Sequence, residues 1–321
     1  MKRRMLVIAG VAVAVLALVF PVLGLKAYYV HVAVMSLIYV LLASGLNVLT
    51  GYAGQLSLAH AGFFGIGAYA SALLSLKLGW NTWLGLLAGG VLAGAAGVLL
   101  GVPALRLKGP YLVIASLGFG EIIRHVLVNW VGLTRGPMGL TGVPRMSPIY
   151  LPGLGSISFE SKAAYYYLLL PIVCLTLVII RNLVNSRTGR ALVAIREDQV
   201  AAEVMGINLA FYKVLAFTFG AVLAGVAGSL YAHYIGFVSP DSFTVGESIY
   251  ILMMVAVGGM GTLVGPVVGA VGLTYLLETM RILADYRLIL YGVLLFLVAV
   301  FFPGGLAGEL NKRLARPPEG G

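Results

Sequence analysis

Three groups of residues in this chain have the chemistry to act. The first is a polar island, residues 182–210, NLVNSRTGRALVAIREDQVAAEVMGINLA, which holds Arg187, Arg190, Arg196, Glu197, Asp198 and Glu203 between two apolar stretches. Charges gathered on a short soluble segment suit a docking surface better than a reaction centre. The second is LGFGEIIRHVL, where Glu121, Arg124 and His125 fall on one helical face at i, i+3 and i+4. Such a trio can neutralise itself, contact a solute or gate a pathway. A proton relay would want a second carboxylate at similar depth, and none is evident. The third is GLNVLTGYAGQLSLAHAGFFGIGAY, residues 45–69, where Asn47, Gln55, Ser57 and His60 surround Gly51 and Gly54. Polar groups within an apolar span must find interhelical partners or a hydrated cavity. Packing and pathway lining therefore both fit them. The four histidines, His31, His60, His125 and His233, sit on separate segments without ligand spacing, so no metal site is expected. HExxH is absent, which argues against an integral-membrane metalloprotease, and so is a P-loop.

The elements that carry these groups are membrane helices. Of 321 residues, 60% are hydrophobic and only 10% charged, where a soluble domain would carry about 25% charged residues. Mean hydropathy is +1.02. Apolar runs long enough to cross a bilayer recur along the whole chain. We expect a single-domain (residues 1–321), all-α polytopic membrane protein with about ten transmembrane or re-entrant helices. Residues 1–24 open with a basic run before an apolar one and read as an uncleaved first span. Further spans are expected near 28–49, 56–76, 82–102, 110–131, 163–181 and 211–235. Residues 132–162 are rich in Gly and Pro and form a loop, with short strands or a helical turn. Toward the end, SIYILMMVAV, the breaker GGMGTLVGP and VVGAVGLTYLLETM suggest discontinuous or re-entrant helices. A last span, LILYGVLLFLVAVFF, ends at Pro303. Cys174, the one cysteine, reads as a small apolar residue buried in a span.

Charge sets the orientation. With the N-terminus inside, Lys2, Arg3, Arg4, Arg106, Lys108, Arg181, Arg187, Arg190, Arg196, Lys213, Lys312, Arg313 and Arg316 fall on the inner side. Lys26, Lys77, Arg135, Arg145, Lys162, Arg281 and Arg287 fall outside. Thirteen against seven places both termini and the island in the cytoplasm and the 132–162 loop on the periplasmic or extracellular side. The net charge of +10 is then topological, and no nucleic-acid partner is expected. Within the island, apolar residues at helical spacing and Gly206 as a left-handed cap define a short helix, with Glu197 and Asp198 at its positive end. Its basic residues precede its acidic ones, an order that fits a protein groove better than lipid headgroups.

These segments resemble the permease subunits of branched-chain amino acid ABC importers, of the LivM type. The resemblance rests on GLNVLTGYAGQLSLAHAGFFGIGAY, LRLKGPYLVIASLGFGEIIR, LTRGPMGLTGVP, SRTGRALVAIREDQVAAEVMGIN and GGMGTLVGPVVGA, in collinear order across residues 45–270. It implies an ABC importer permease bundle in the cell inner membrane. The implied partners are a LivH-like second permease, two ABC ATPase subunits and a solute-binding protein. This chain would bind no cofactor itself, ATP and Mg being held by the ATPases. It implies, too, that the island enters a groove of an ATPase through Arg196, Glu197, Asp198, Ala201, Ala202, Glu203 and Gly206. The importer coupling pattern E-A-A-x-x-x-G reads here Val200-Ala201-Ala202-Glu203-Val204-Met205-Gly206, with valine in place of glutamate. Asn47, Gln55, Ser57, His60, Glu121 and Arg124 remain candidates for the pathway or for helix packing. An importer of urea or another small polar solute is the alternative. An ion-coupled secondary transporter would want several unpaired intramembrane carboxylates.

Overall fold

The computed structural model describes residues 26–107, 109–151 and 155–279, with isolated positions outside them. The first and last expected spans lie outside the described residues, apart from a few isolated positions. Among the described residues, six helices are long and apolar enough to cross a membrane. In order, α1 is Ala27–Asn47, extended by a π-helical turn at Val48–Tyr52. α2 is His60–Leu78, α3 Thr82–Ala104 and α4 Pro110–Asn129. After a short α5 (Val131–Thr134) come the strands β1 (Leu140–Thr141), β2 (Ile149–Leu151) and β3 (Gly155–Ile157). α6 is Lys162–Asn185, α7 Arg187–Glu197, α8 Gln199–Val204 and α9 Leu209–Ile235. Strand β4 (Phe237–Val238) leads to two shorter apolar helices, α10 (Val245–Gly258) and α11 (Gly265–Thr279). The chain is thus an all-α polytopic protein.

Helix boundaries follow local chemistry. The Asn81 side chain accepts from the Trp83 amide to start α3, and Ser161 Oγ accepts from the Ala164 amide to start α6. Pro110 occupies the first turn of α4, where its missing N–H costs nothing. One expected span begins late. Instead of running from residue 56, α2 starts at His60, and residues 53–59 are irregular but largely buried. Gly54, at φ 67°, breaks the helix, and irregular backbone is tolerated here because protein covers it.

The centre is a three-helix contact among α2, α3 and α9, built on glycine. A Cβ at Gly67 would lie 2.1 Å from the Gly225 carbonyl oxygen, and one at Gly89 would lie 2.2 Å from Ser229 Oγ. With no side chain in the way the backbones meet, and dispersion and polar contacts hold helices that the hydrophobic effect cannot drive together in lipid. Ser229 Oγ donates to the Gly67 carbonyl across the same contact, at 3.2 Å. Cys174 faces outward from α6 rather than into the core, since Val173 and Thr176 take the inward positions.

The two ends of the bundle differ. At one, which we call the loop end, residues 130–161 fold over α2, α3 and α9. There β1 pairs antiparallel with β4 (Leu140 with Val238, Thr141 with Phe237) and β2 with β3. At the other, the island end, lie α7, α8, the 53–59 segment and the α10–α11 break at 259–264.

Candidate functional site

The island folds as two helices with opposite allegiances. Ser186 caps α7, its Oγ accepting from the Gly189 amide. One face of α7, with Gly189, Ala191, Leu192 and Ile195, is buried on the bundle. The chain then turns at Asp198, whose extended backbone (φ −154°, ψ 116°) separates α7 from α8. The Asp198 carboxylate accepts from the Val200 and Ala201 amides through Oδ1 at 2.8 and 3.1 Å, an N-cap for α8. At the far end Gly206 is left-handed (φ 81°). The Gly206 amide bonds the Glu203 carbonyl at 2.9 Å and the Ile207 amide bonds the Ala202 carbonyl at 3.0 Å, the two-bond Schellman closure.

A helix of six residues would not hold in isolation; these caps, and Lys213 Nζ donating to Gln199 Oε1 at 2.9 Å, fix it to α9. Only Ala202 of α8 is buried. Val204 is 83% and Met205 82% exposed, and Val200 points out as well. A firmly capped helix thus projects apolar side chains into solvent. Ala201, Glu203 and Gly206 share the exposed side. Glu197 is paired loosely with Arg196, Nε to Oε1 3.8 Å.

Arg196 points the other way. Its Nη1 donates to the Gly51 carbonyl at 2.7 Å, in the π-helical turn that ends α1. A second polar residue meets the same place. Asn47 accepts from the Gly261 amide through Oδ1 (2.9 Å) and donates from Nδ2 to the Thr262 carbonyl (2.8 Å). Its amide therefore completes two backbone groups of the α10–α11 break, as a neighbouring strand would. The two glycine-rich breaks, far apart in sequence, are thus side by side, with Arg196 against both.

The other interior candidates bond within or beside the break. Gln55 Nε2 donates to the Ala53 carbonyl at 3.3 Å, and Ser57 Oγ accepts from the Ala59 amide at 3.3 Å. His60 is fully buried between Gly45 and Gly220. The Leu42 carbonyl is a loose polar neighbour of its ring, which makes no hydrogen bond of normal length and angle. Ser116 and Ser248, which residue pattern alone did not single out, accept from the Leu58 and Ala61 amides and so anchor the start of α2. The signal available for them was a lone serine in an apolar run.

Glu121 and Arg124 pair at 3.6 Å, with His125 3.9 Å from Glu121. The expectation that no second carboxylate reaches this group is corrected: Asp241, in the turn after β4, lies 3.5 Å from Arg124. The chain returns there from α9, so this cluster belongs to the junction near the loop end. Among the described residues no group of His, Cys, Asp or Glu is placed to hold a metal ion.

Among the described residues, six long apolar helices around a glycine core, with a capped and exposed short helix at one end, define a multi-pass membrane protein. The chain belongs to the family described as branched-chain amino acid transport system / permease component, whose model matches residues 28–299. It is 38% identical, over 95% of its length and 75% of the relative's, to the high-affinity branched-chain amino acid transport system permease protein LivM of Escherichia coli K12. The LivH permease of the corresponding system in Salmonella typhimurium is 27% identical over 84% of this chain and 91% of its own. The autoinducer 2 import system permease LsrC of Salmonella paratyphi B is also 27% identical, over 75% and 68%. No solved structure matches the chain.

Proposed function

We propose that this protein forms one half of the membrane pathway of an ATP-driven importer for branched-chain or related amino acids, in the inner membrane. The island and both termini lie in the cytoplasm, as the positive-inside count favours. Its partners are a LivH-like permease, two ABC ATPases that hold ATP and Mg, and a solute-binding protein that meets the 132–162 loop. The observation that carries this reading is α8: capped at both ends, rooted by Ala202 and offering Val204 and Met205 to solvent.

In operation, closure of the ATPases moves α8 as a rigid knob, and the bundle opens to one side or the other. The test is uptake of labelled leucine in cells carrying the whole transporter, with Val204→Asp and Met205→Asp combined here. Charging both apolar side chains should cut uptake about 10-fold or more, as loss of an anchor in a docking groove does, with membrane insertion retained. Undiminished uptake sinks the reading. Competition by isoleucine and valine but not by urea decides between amino acids and the other small polar solutes.

A further inference from the structure

Three features converge on one side chain of the island. Arg196 Nη1 donates to the Gly51 carbonyl at 2.7 Å. This oxygen lies at the C-terminal end of α1, where backbone carbonyls lack helical partners and the dipole is negative. The aliphatic part of the same side chain lies over Gly54, where an added Cβ would be 3.0 Å from Arg196 Cγ. The guanidinium also borders the α10–α11 break, since a Cβ at Gly261 would fall 2.6 Å from Nη1 and 3.1 Å from the Gly51 oxygen. Behind it, Asn47 ties that break to α1 through the Gly261 amide and the Thr262 carbonyl. Gly51 permits the approach: a Cβ there would lie 2.1 Å from Asn47 Oδ1 and 2.4 Å from the Gly261 nitrogen.

We propose that Arg196 is a positioning residue that carries movement of the docking helix into both glycine breaks, rather than a residue that binds the ATPase. The inference rests on the coupling role proposed above and assigns the part of the chain that transmits it. α8 itself touches the bundle through few groups, whereas α7, which precedes it and joins it at Asp198, delivers the guanidinium to the place where α1 ends and the α10–α11 turn begins. Planar, with several donors, guanidinium can hold a carbonyl while its stem packs on glycine. Lysine keeps the charge but gathers its donors on a single nitrogen, and glutamine loses the charge. Side-chain exposure of 42% leaves the contact partly in water, so the expected effect is at the lower end for a charge-assisted bond.

The assembled transporter with Arg196→Gln should lose about 10-fold in leucine uptake per ATP hydrolysed, while the ATPases still co-purify with it. Arg196→Lys should recover part of the ratio. Gly261→Ala, which wedges a methyl group against the same hydrogen bond, should resemble Arg196→Gln. Loss of ATPase co-purification in Arg196→Gln would make Arg196 a docking residue and overturn the inference while leaving the coupling role intact; an unchanged ratio would also overturn it. Failure of Val204→Asp with Met205→Asp to reduce uptake would strike the coupling role instead. A second measurement stands apart from uptake. With Cys174→Ser as background, spin labels at Val193→Cys on α7 and Met260→Cys in the break should keep one distance with and without ATP. With Arg196→Gln added, the distance should shift or broaden on ATP addition. The same response with and without Arg196 would refute the pin.

Discussion

At the loop end, His233 is buried and doubly bonded. Its Nδ1 lies 2.6 Å from the Pro144 carbonyl, which can only accept, so Nδ1 donates and, in the neutral ring, Nε2 accepts from Ser71 Oγ at 2.8 Å. Around it, Thr82 Oγ1 bonds both the amide and the hydroxyl of Ser147, Trp83 Nε1 donates to the Ser147 carbonyl, and β1 is laddered to β4. Helices α2, α3 and α9 and the loop are thereby cross-tied through many independent bonds. The island end has far fewer ties between its moving parts: the Asn47 amide, Arg196 and glycine contacts join α1, α7 and the α10–α11 break. A redundant network resists the loss of a member and makes a rigid cap. A junction resting on two side chains has less to hold it, and it lies beside α8. On the mechanism proposed above, the loop end is the fixed frame and the island end the part that turns.

The sharpest way to break the comparison is to remove a member of each network. His233→Leu leaves the Pro144 carbonyl and Ser71 hydroxyl without their partner at a buried position, and should cost about 3 kcal/mol of stability. Thermal unfolding in detergent, followed by tryptophan fluorescence, reads this as a lower Tm, with uptake per folded molecule held. Asn47→Ala should cost less, about 1–2 kcal/mol, because the Gly261 amide and Thr262 carbonyl that it leaves unpaired are only partly buried. Yet it should abolish most uptake per folded molecule, because the second break no longer follows the first. If Asn47→Ala proves the less stable of the two and transports normally, the assignment of frame and hinge is reversed.

Much of this was legible in the residues. Hydropathy placed α1, α3, α4, α6 and α9 within a few residues of their ends, because lipid demands apolar runs of fixed length. Asp198 and Gly206 announced the limits of α8 by cap chemistry. What the residues hid was pairing across long sequence separation. Nothing local says that Asn47 meets Gly261 or that Arg196 faces inward while its neighbour Glu197 faces out. Gly51, Gly54 and the breaker GGMGTLVGP were visible as composition, but not as two breaks brought into contact. For Glu121 and Arg124, depth alone misled, since Asp241 comes back to them from a different element.

Two smaller effects refine the picture of the frame. Thr82→Val keeps the shape of a buried side chain and removes both bonds to Ser147, leaving its amide unpaired. About 1 kcal/mol of stability should go, with uptake per folded molecule unchanged. Asp241→Asn should do least. Its side chain is 77% exposed and 3.5 Å from Arg124, which keeps Glu121 as a partner. Exposed pairs of this kind contribute about 0–1 kcal/mol and are screened by salt. The Tm should move by no more than the scatter between preparations, and the small difference should vanish in high salt. A drop as large as that from Thr82→Val would mean that Asp241 holds Arg124 in place for the pathway, and the junction at α4 would then belong to the moving part of the molecule instead of its frame.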